Sequence, residues 1–178
     1  MRHSRAMDSK ASNYKYKAGF FGGKFIPMHI GHSLCISVAL SLCETVHVIL
    51  FINGEGELDI LKHDHKLPRE YLSVEYRVNQ IKKLIGDNPR VKFHIIDCTP
   101  LKFPDGREDW DAETPVVIEA CGDFQAVFSS EPSYDDYFKR AYPWADHIIV
   151  DAKREKYPIS ATMIRDMTPE EAEEWIVK

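Results

Sequence analysis

The sequence predicts an α/β protein: a Rossmann-like, doubly wound parallel sheet of about five strands with helices on both faces. Three observations carry that prediction. Short apolar runs alternate with stretches of helical periodicity along the chain. The run VHVILFI, residues 46–52, is apolar at nearly every position, as a strand buried on both faces requires. Gly22-Gly23 follows the first apolar run at once, where a strand must turn sharply into a loop.

Residues 17–21 are the first strand. Residues 30–44 carry Leu34, Ile36, Val38, Leu40 and Leu42 at helical spacing, with no Pro or Gly after Gly31. The second strand, 46–52, is closed by Asn53-Gly54-Glu55-Gly56. Residues 57–69 are polar around KHDHK and read as a long exposed loop, a setting that also favours a solvated His63-Asp64-His65 over a metal ligand set. PREYLSVEYRVNQIKKLIG, 68–86, reads as one amphipathic helix stopped by Gly86. Residues 91–97 form a third strand, and a loop with two prolines and a glycine leads to a helix over 110–121. That helix tolerates Pro115 near its start. A fourth strand at 124–130, a short helix at 133–142 and a fifth strand at 146–151 precede closing helices that open at ISATMIRDM.

The 178 residues suffice for one domain with a real core, assigned here to 17–178. Residues 1–16 carry charge but no apolar core, which reads as a flexible leader or an expression remnant and not a signal peptide. The chain stops in helical sequence soon after Trp175, which leaves room for a further domain. A net charge of -5 argues against a general nucleic-acid or membrane surface, and no apolar run is long enough to span a bilayer. Cys35, Cys43, Cys98 and Cys121 contain no Cys-x-x-Cys pair, and with no secretory signal they read as reduced thiols of a cytoplasmic protein. A homo-oligomer is compatible with all of this.

Ligands of open parallel sheets bind beyond the carboxyl ends of the strands, where three notable segments fall: 22–32, 129–134 and 151–165. In the first, Gly22 and Gly23 clear space, Pro27 stiffens the loop, and Gly31 opens the helix whose N–H groups point at any anion. His29 and His32, three apart, can face one ligand, and Lys24 adds a fixed charge. The set suits a polyphosphate better than a metal, for which no third ligand is obvious. The Gly-x-x-x-x-Gly-Lys-Ser/Thr pattern of a phosphate-loop NTPase is absent. In the last segment Ser160 caps a new helix, Thr162 offers a second hydroxyl, and Arg165 lies one turn on.

HIGH at 29–32 and ISATMIR at 159–165 together resemble the nucleotidyltransferase superfamily with an H-x-G-H motif after its first strand and an ISSTxxR-type motif near its end. The version GKFIPMHIGH looks most like nicotinamide mononucleotide (NMN) adenylyltransferases, particularly the adenylyltransferase domain of NadR-type proteins. VFSSEPSYDDYF and VDAKREKYPISATMIR extend the likeness to about residues 17–175. Ala161 stands where many relatives have Ser, with the hydroxyls of Ser160 and Thr162 kept. Lys24 and Pro27 lean away from the patterns of pantetheine-phosphate adenylyltransferases and of cytidylyltransferases.

The resemblance implies attack of the NMN phosphate on the α-phosphorus of ATP, giving NAD and pyrophosphate, with Mg²⁺ carried by the ATP phosphates and no dedicated metal ligands. It implies that His29, His32, Lys24 and Arg165 act on the reacting phosphates. Gly22, Gly23, Phe25, Gly31, Ser129, Ser130, Ser160 and Thr162 would bind the nucleotide. Arg77, Trp110 and Trp144 are the acceptor candidates, and Asp151 and Arg154 are weaker ones. Other phosphorylated acceptors, of the phosphopantetheine or glycerol phosphate type and with ATP or CTP, stay open. So does a non-catalytic nucleotide-sensing module, which retention of every motif residue disfavours. A tRNA-synthetase relation lacks both a KMSKS segment and a basic surface.

Overall fold

The computed structural model describes residues 13–177. Its sheet has five parallel strands in the order β3-β2-β1-β4-β5: β1 Tyr16–Gly23, β2 Cys43–Ile52, β3 Val91–Asp97, β4 Ala126–Ser129 and β5 Asp146–Ile149. Helices α1 Ile30–Leu42, α2 Gly54–Lys62, α3 Val74–Ile85, α4 Trp110–Cys121 and α5 Asp135–Ala141 connect or follow the strands, and α6 Ala161–Arg165 and α7 Pro169–Ala172 close the chain. The doubly wound architecture is therefore the one the alternating pattern predicts. The leader assigned to 1–16 lies mostly outside the described residues, and Tyr16 already belongs to β1.

Two apolar layers cover the sheet. Ile36 and Ala39 of α1 and Ile81 of α3 pack on one face with Val46, Val48 and Leu50. Val117 and Cys121 of α4 pack on the other with Phe20, Ile49 and Val127, against Phe138 of α5. β2 contributes to both layers, and this explains its unbroken apolar sequence. All four cysteines are free and buried. No helix among the described residues is long and apolar enough to cross a membrane.

The structure departs from the sequence pattern in two places, both between β2 and β3. Residues 57–69 read as a loop in sequence, yet α2 occupies Gly54–Lys62. Glu57 is buried and folds back on the turn: its backbone N–H donates to Asn53 O at 2.8 Å, and its Oε1 accepts from Asn53 N at 2.9 Å. Ile60 and Leu61 then pack on a third apolar cluster around Ile159 and Ile164, so tertiary contacts override the two glycines. The helix expected over 68–86 is divided. Arg69–Leu72 forms a 3₁₀ turn, and Ser73 restarts the chain as the cap of α3, accepting from Tyr76 N at 3.1 Å.

β1 lies between β2 and β4, so the chain leaves it first to one side and later to the other. The crevice of a doubly wound sheet opens at that switch, beyond the carboxyl end of β1. Here it is a cavity of about 530 Å³ whose walls include Gly22, Lys24, His29, Ser129, Glu113 and Arg165.

Candidate active site

The loop from Gly22 to His32 is shaped by contact, not by glycine flexibility. A Cβ at Gly22 would sit 2.5 Å from the Phe51 ring, and one at Gly31 would sit 2.8 Å from His29 Cε1. Phe25 takes the left-handed φ of 52° and buries its ring beneath the loop, 4.8 Å from that of His32. It supports the histidines from below, as does the buried Phe21, whose ring lies 6.2 Å from that of His32.

His29 is the N-cap of α1. Its Nδ1 accepts from Gly31 N at 3.0 Å, while His32 Nδ1 accepts from His29 N at 3.0 Å. This is a capping box made of two imidazoles. The rings stack with centroids 3.7 Å apart. Because each Nδ1 is an acceptor, a neutral ring carries its proton on Nε2, turned away from the backbone bond. Neutrality is enforced: burial, then Arg154, lowers His29 to about 4, and burial with its neighbour His29 holds His32 well below the ordinary histidine value. The loop thus presents two N–H donors with no charge of their own.

Positive charge comes from around them. Arg165, at the end of α6, donates to Ile26 O at 2.6 Å and to Thr162 Oγ1 at 3.2 Å, and its buried Nε has no partner among the described residues. Ser160 caps α6 by accepting from Met163 N at 3.2 Å. With a single turn, α6 has little dipole to offer, so its hydroxyls and guanidinium matter more than its N-terminus. Arg154, a weaker candidate in the sequence, lines the cavity and pairs with Glu131 at 2.7 Å. Asp151 organises this loop by accepting from the backbone of Glu155 and Lys156 at 2.9 and 3.1 Å. Lys24 pairs with Glu108 at 3.1 Å, and both line the cavity.

Ser129 and Ser130 also line the cavity. Ser129 Oγ lies 2.6 Å from His147 Nε2, and His147 Nδ1 lies 3.1 Å from Asp135 Oδ1. The order resembles a nucleophile relay, but Ser129 is buried and its hydroxyl also accepts from Glu131 N at 3.3 Å. The network fixes the end of β4 beneath the cavity.

The acceptor candidates separate. Trp110 starts α4 inside the cavity, its ring edge-on to Tyr134 and Tyr137 at 5.2 Å each and its Nε1 donating to Glu108 Oε2 at 3.1 Å. Arg77 does not reach the cavity. It is 1% exposed, clamps both oxygens of Glu57 at 3.1 and 2.8 Å, and donates to Lys24 O at 3.0 Å. A guanidinium so engaged, with its Nε also on Ser73 O at 3.2 Å, holds the Lys24 loop from within the core. Trp144 stands before β5, at the opposite end of the strands, with its Nε1 on Phe124 O at 2.8 Å. Both are corrected from acceptor ligands to structural residues.

Two carboxyls escaped sequence reading. Glu108 accepts from Asn53 Nδ2 at 3.0 Å as well as from Lys24; burial would raise it, but these bonds outweigh burial and keep it below the ordinary range. Glu113 is only 9% exposed, and its Oε1 has no hydrogen-bond partner among the described residues. Burial pushes it up to about 7, with Cys98 as a counteracting partner and Glu108 adding repulsion. In sequence it is one more carboxylate in a helix's first turn; only its position in the fold exposes it.

A model of the cytidylyltransferase-like family matches residues 20–167. Among curated relatives, a phosphopantetheine adenylyltransferase of Phocaeicola vulgatus is 30% identical over 92 residues, 52% of this chain and 53% of its own. The same enzyme of Mycoplasma mycoides subsp. mycoides SC is 27% identical over 151 residues, 85% of this chain and 96% of its own. The chain thus spans about half of the first relative and nearly all of the second. Among solved structures, NadR in complex with NAD and AMP-PNP superposes with a TM-score of 0.62 at 20% identity, over 90% of this chain and 44% of its own. A bifunctional NMN adenylyltransferase/ADP ribose pyrophosphatase from Francisella tularensis gives 0.63 at 20% identity, over 92% and 45%. At that identity these two establish the shared fold.

Proposed function

The chain belongs to the cytidylyltransferase-like family, and from that premise we propose that it is an adenylyltransferase joining the AMP moiety of ATP to the phosphate of NMN. Family membership and the curated relatives support nucleotidyl transfer. The observation that carries the reading further is the imidazole capping box at the head of α1, with Lys24 and Arg165 beside it in one cavity.

In this reading an oxygen of the acceptor phosphate bonds to the α-phosphorus of ATP, the α–β bridging P–O bond breaks, and pyrophosphate leaves. Phosphate is already a nucleophile, so no residue removes a proton to begin the reaction. The Nε2–H groups of His29 and His32 donate to the phosphate oxygens, with His32 at the α-phosphate. Preorganised donors of this kind need no reorganisation as charge develops. Lys24 exchanges Glu108 for the reacting phosphates, and Ser160, Thr162 and Arg165 hold the β- and γ-phosphates. Ser129 and Ser130 shape the adenosine side. Mg²⁺ is expected on the ATP phosphates, where it supplies charge neutralisation. In the free protein the cavity carboxylates Glu108 and Glu131 are paired with Lys24 and Arg154.

The acceptor half supports NMN. Trp110, Tyr134 and Tyr137 give aromatic surface, and Glu108 and Glu113 give acidic groups. A flat, cationic pyridinium with a carboxamide N–H suits both features, and the amide would supply the partner that Glu113 Oε1 lacks. Phosphopantetheine is the second reading, favoured by the names of the curated relatives. The test is pyrophosphate release from ATP and Mg²⁺ with NMN, nicotinate mononucleotide or phosphopantetheine, and from CTP with glycerol phosphate. NMN is expected to give the highest kcat/KM. Release with another acceptor alone moves the assignment to it, and no release with any acceptor refutes the enzyme reading.

A further inference from the structure

We propose that His47, His94 and Cys121 form a binding site for a borderline-soft divalent cation, with zinc the best match, separate from the nucleotide cavity. The three side chains come from β2, β3 and the last residue of α4. His47 pairs in register with Lys92 and Ile49 with His94, so both imidazoles lie on the sheet face that α4 covers. One ligand atom from each of the three lies within 4.8 Å of the others. None of them lines the nucleotide cavity, and the adenylyl-transfer reading uses none of them.

The donor set selects the ion. Two imidazole nitrogens and a sulfur, with no carboxylate, suit zinc-like ions and disfavour magnesium and calcium. His47 Nδ1 and His94 Nε2 stand 2.8 Å apart, a separation that requires a proton between them. Tetrahedral zinc needs its nitrogens about 3.3 Å apart and each about 3.6 Å from sulfur. Opening the imidazole pair by roughly half an ångström and drawing in the thiol by up to about 1.2 Å reaches that geometry. The ring that donates the shared proton moves it to its other nitrogen, and the thiol releases its own proton to solvent as it binds as thiolate. A fourth position is left for water. Access exists, because β3 is the edge of the sheet and His94 is only partly buried there. Two imidazoles in an apolar layer are otherwise an expensive choice. The bound ion ties the end of α4 to both strands, while the start of the same helix carries Trp110 into the cavity. Its role is structural, and adenylyl transfer does not run through it.

The test uses the full chain, stripped with a chelator and titrated with Co²⁺ and then Zn²⁺. One equivalent of Co²⁺ is expected to give thiolate-to-metal charge-transfer absorption and tetrahedral visible bands, both displaced by Zn²⁺, and Zn²⁺ should raise the thermal midpoint. Cys121→Ser should abolish the thiolate band, and His94→Gln should weaken binding by at least about tenfold. Cobalt held by His29 and His32 gives no thiolate band, so binding there is distinguishable. If Cys121→Ser does not fold, Cys121→Ala and His94→Gln decide by the same readout. Absence of the band from the native chain, its survival without Cys121, or unchanged affinity in His94→Gln overturns the proposal and leaves a hydrogen-bonded core pair.

Discussion

Replacing Gly31 with alanine separates folding from chemistry at the centre of the site. The new Cβ would stand 2.8 Å from His29 Cε1 and 3.0 Å from Nδ1. Carbon atoms rest at about 3.5 Å or more, so the ring must retreat by roughly 0.7 Å. It can do so without moving backbone, since the clash is with the end of a side chain. Retreat weakens the bond from Gly31 N and shifts the stacked His32 ring. The stability cost is then that of a damaged helix cap, about 1 kcal/mol, or about 2–4 °C in Tm for a chain of this size. Catalysis suffers more, because a displacement approaching 1 Å costs up to about a hundredfold. Gly31→Ala is therefore predicted to retain its fold by circular dichroism and to lose about ten- to a hundredfold in kcat/KM for pyrophosphate release. Activity within about twofold of the native chain would show that the position of the imidazole pair does not control the reaction.

Other substitutions probe the surrounding assignments. Arg165→Ala should lower kcat by about 10²–10³ in the same assay if its guanidinium steadies the departing pyrophosphate. Arg77→Met strands the buried carboxylate of Glu57 and should cost about 3–5 kcal/mol in urea unfolding; a change confined to acceptor KM would restore Arg77 as a ligand. Trp110→Ala should raise acceptor KM about tenfold while sparing that of ATP, whereas Trp144→Phe should change neither and cost only about 1 kcal/mol of stability. Glu113, raised from 4.5 to about 7 by burial, binds its proton more tightly folded than unfolded. Its contribution is thus full below the unfolded value and is lost as pH rises through about 7, by up to about 3 kcal/mol. Glu113→Gln should flatten this fall in unfolding titrations between pH 5 and 8, and an unchanged slope would contradict the burial argument.

The histidine and arginine segments of the cavity are legible in sequence because their parts are local. HIGH states both histidines, the glycine that seats them and the helix they cap, and ISATMIR states a cap, a hydroxyl and an arginine within one turn. Both lie at strand ends that the alternating pattern locates. The aromatic and acidic side of the cavity depends on burial and distant pairing. Trp110 and Trp144 look alike in sequence, yet they fall at opposite ends of the sheet. Arg77 resembles a solvated helix arginine until Glu57, in a segment expected to be loop, is found clamped to it. Glu113 acquires its character from the layer that covers it. The reciprocal capping by imidazoles is a backbone matter as well: spacing puts two rings on one ligand, but only the fold commits each Nδ1 to an N–H and so assigns the proton to Nε2.

By the proposed function, this cavity transfers the AMP moiety of ATP to a phosphate under the neutral histidine pair. Following α-labelled and γ-labelled ATP with NMN and Mg²⁺ tests it most directly. The α-label should appear in the dinucleotide and the γ-label in pyrophosphate, and His32→Ala should slow both by the same large factor while remaining folded. Label that stays in ATP, a γ-label released as phosphate, or a His32→Ala variant with near-native kcat would contradict the account.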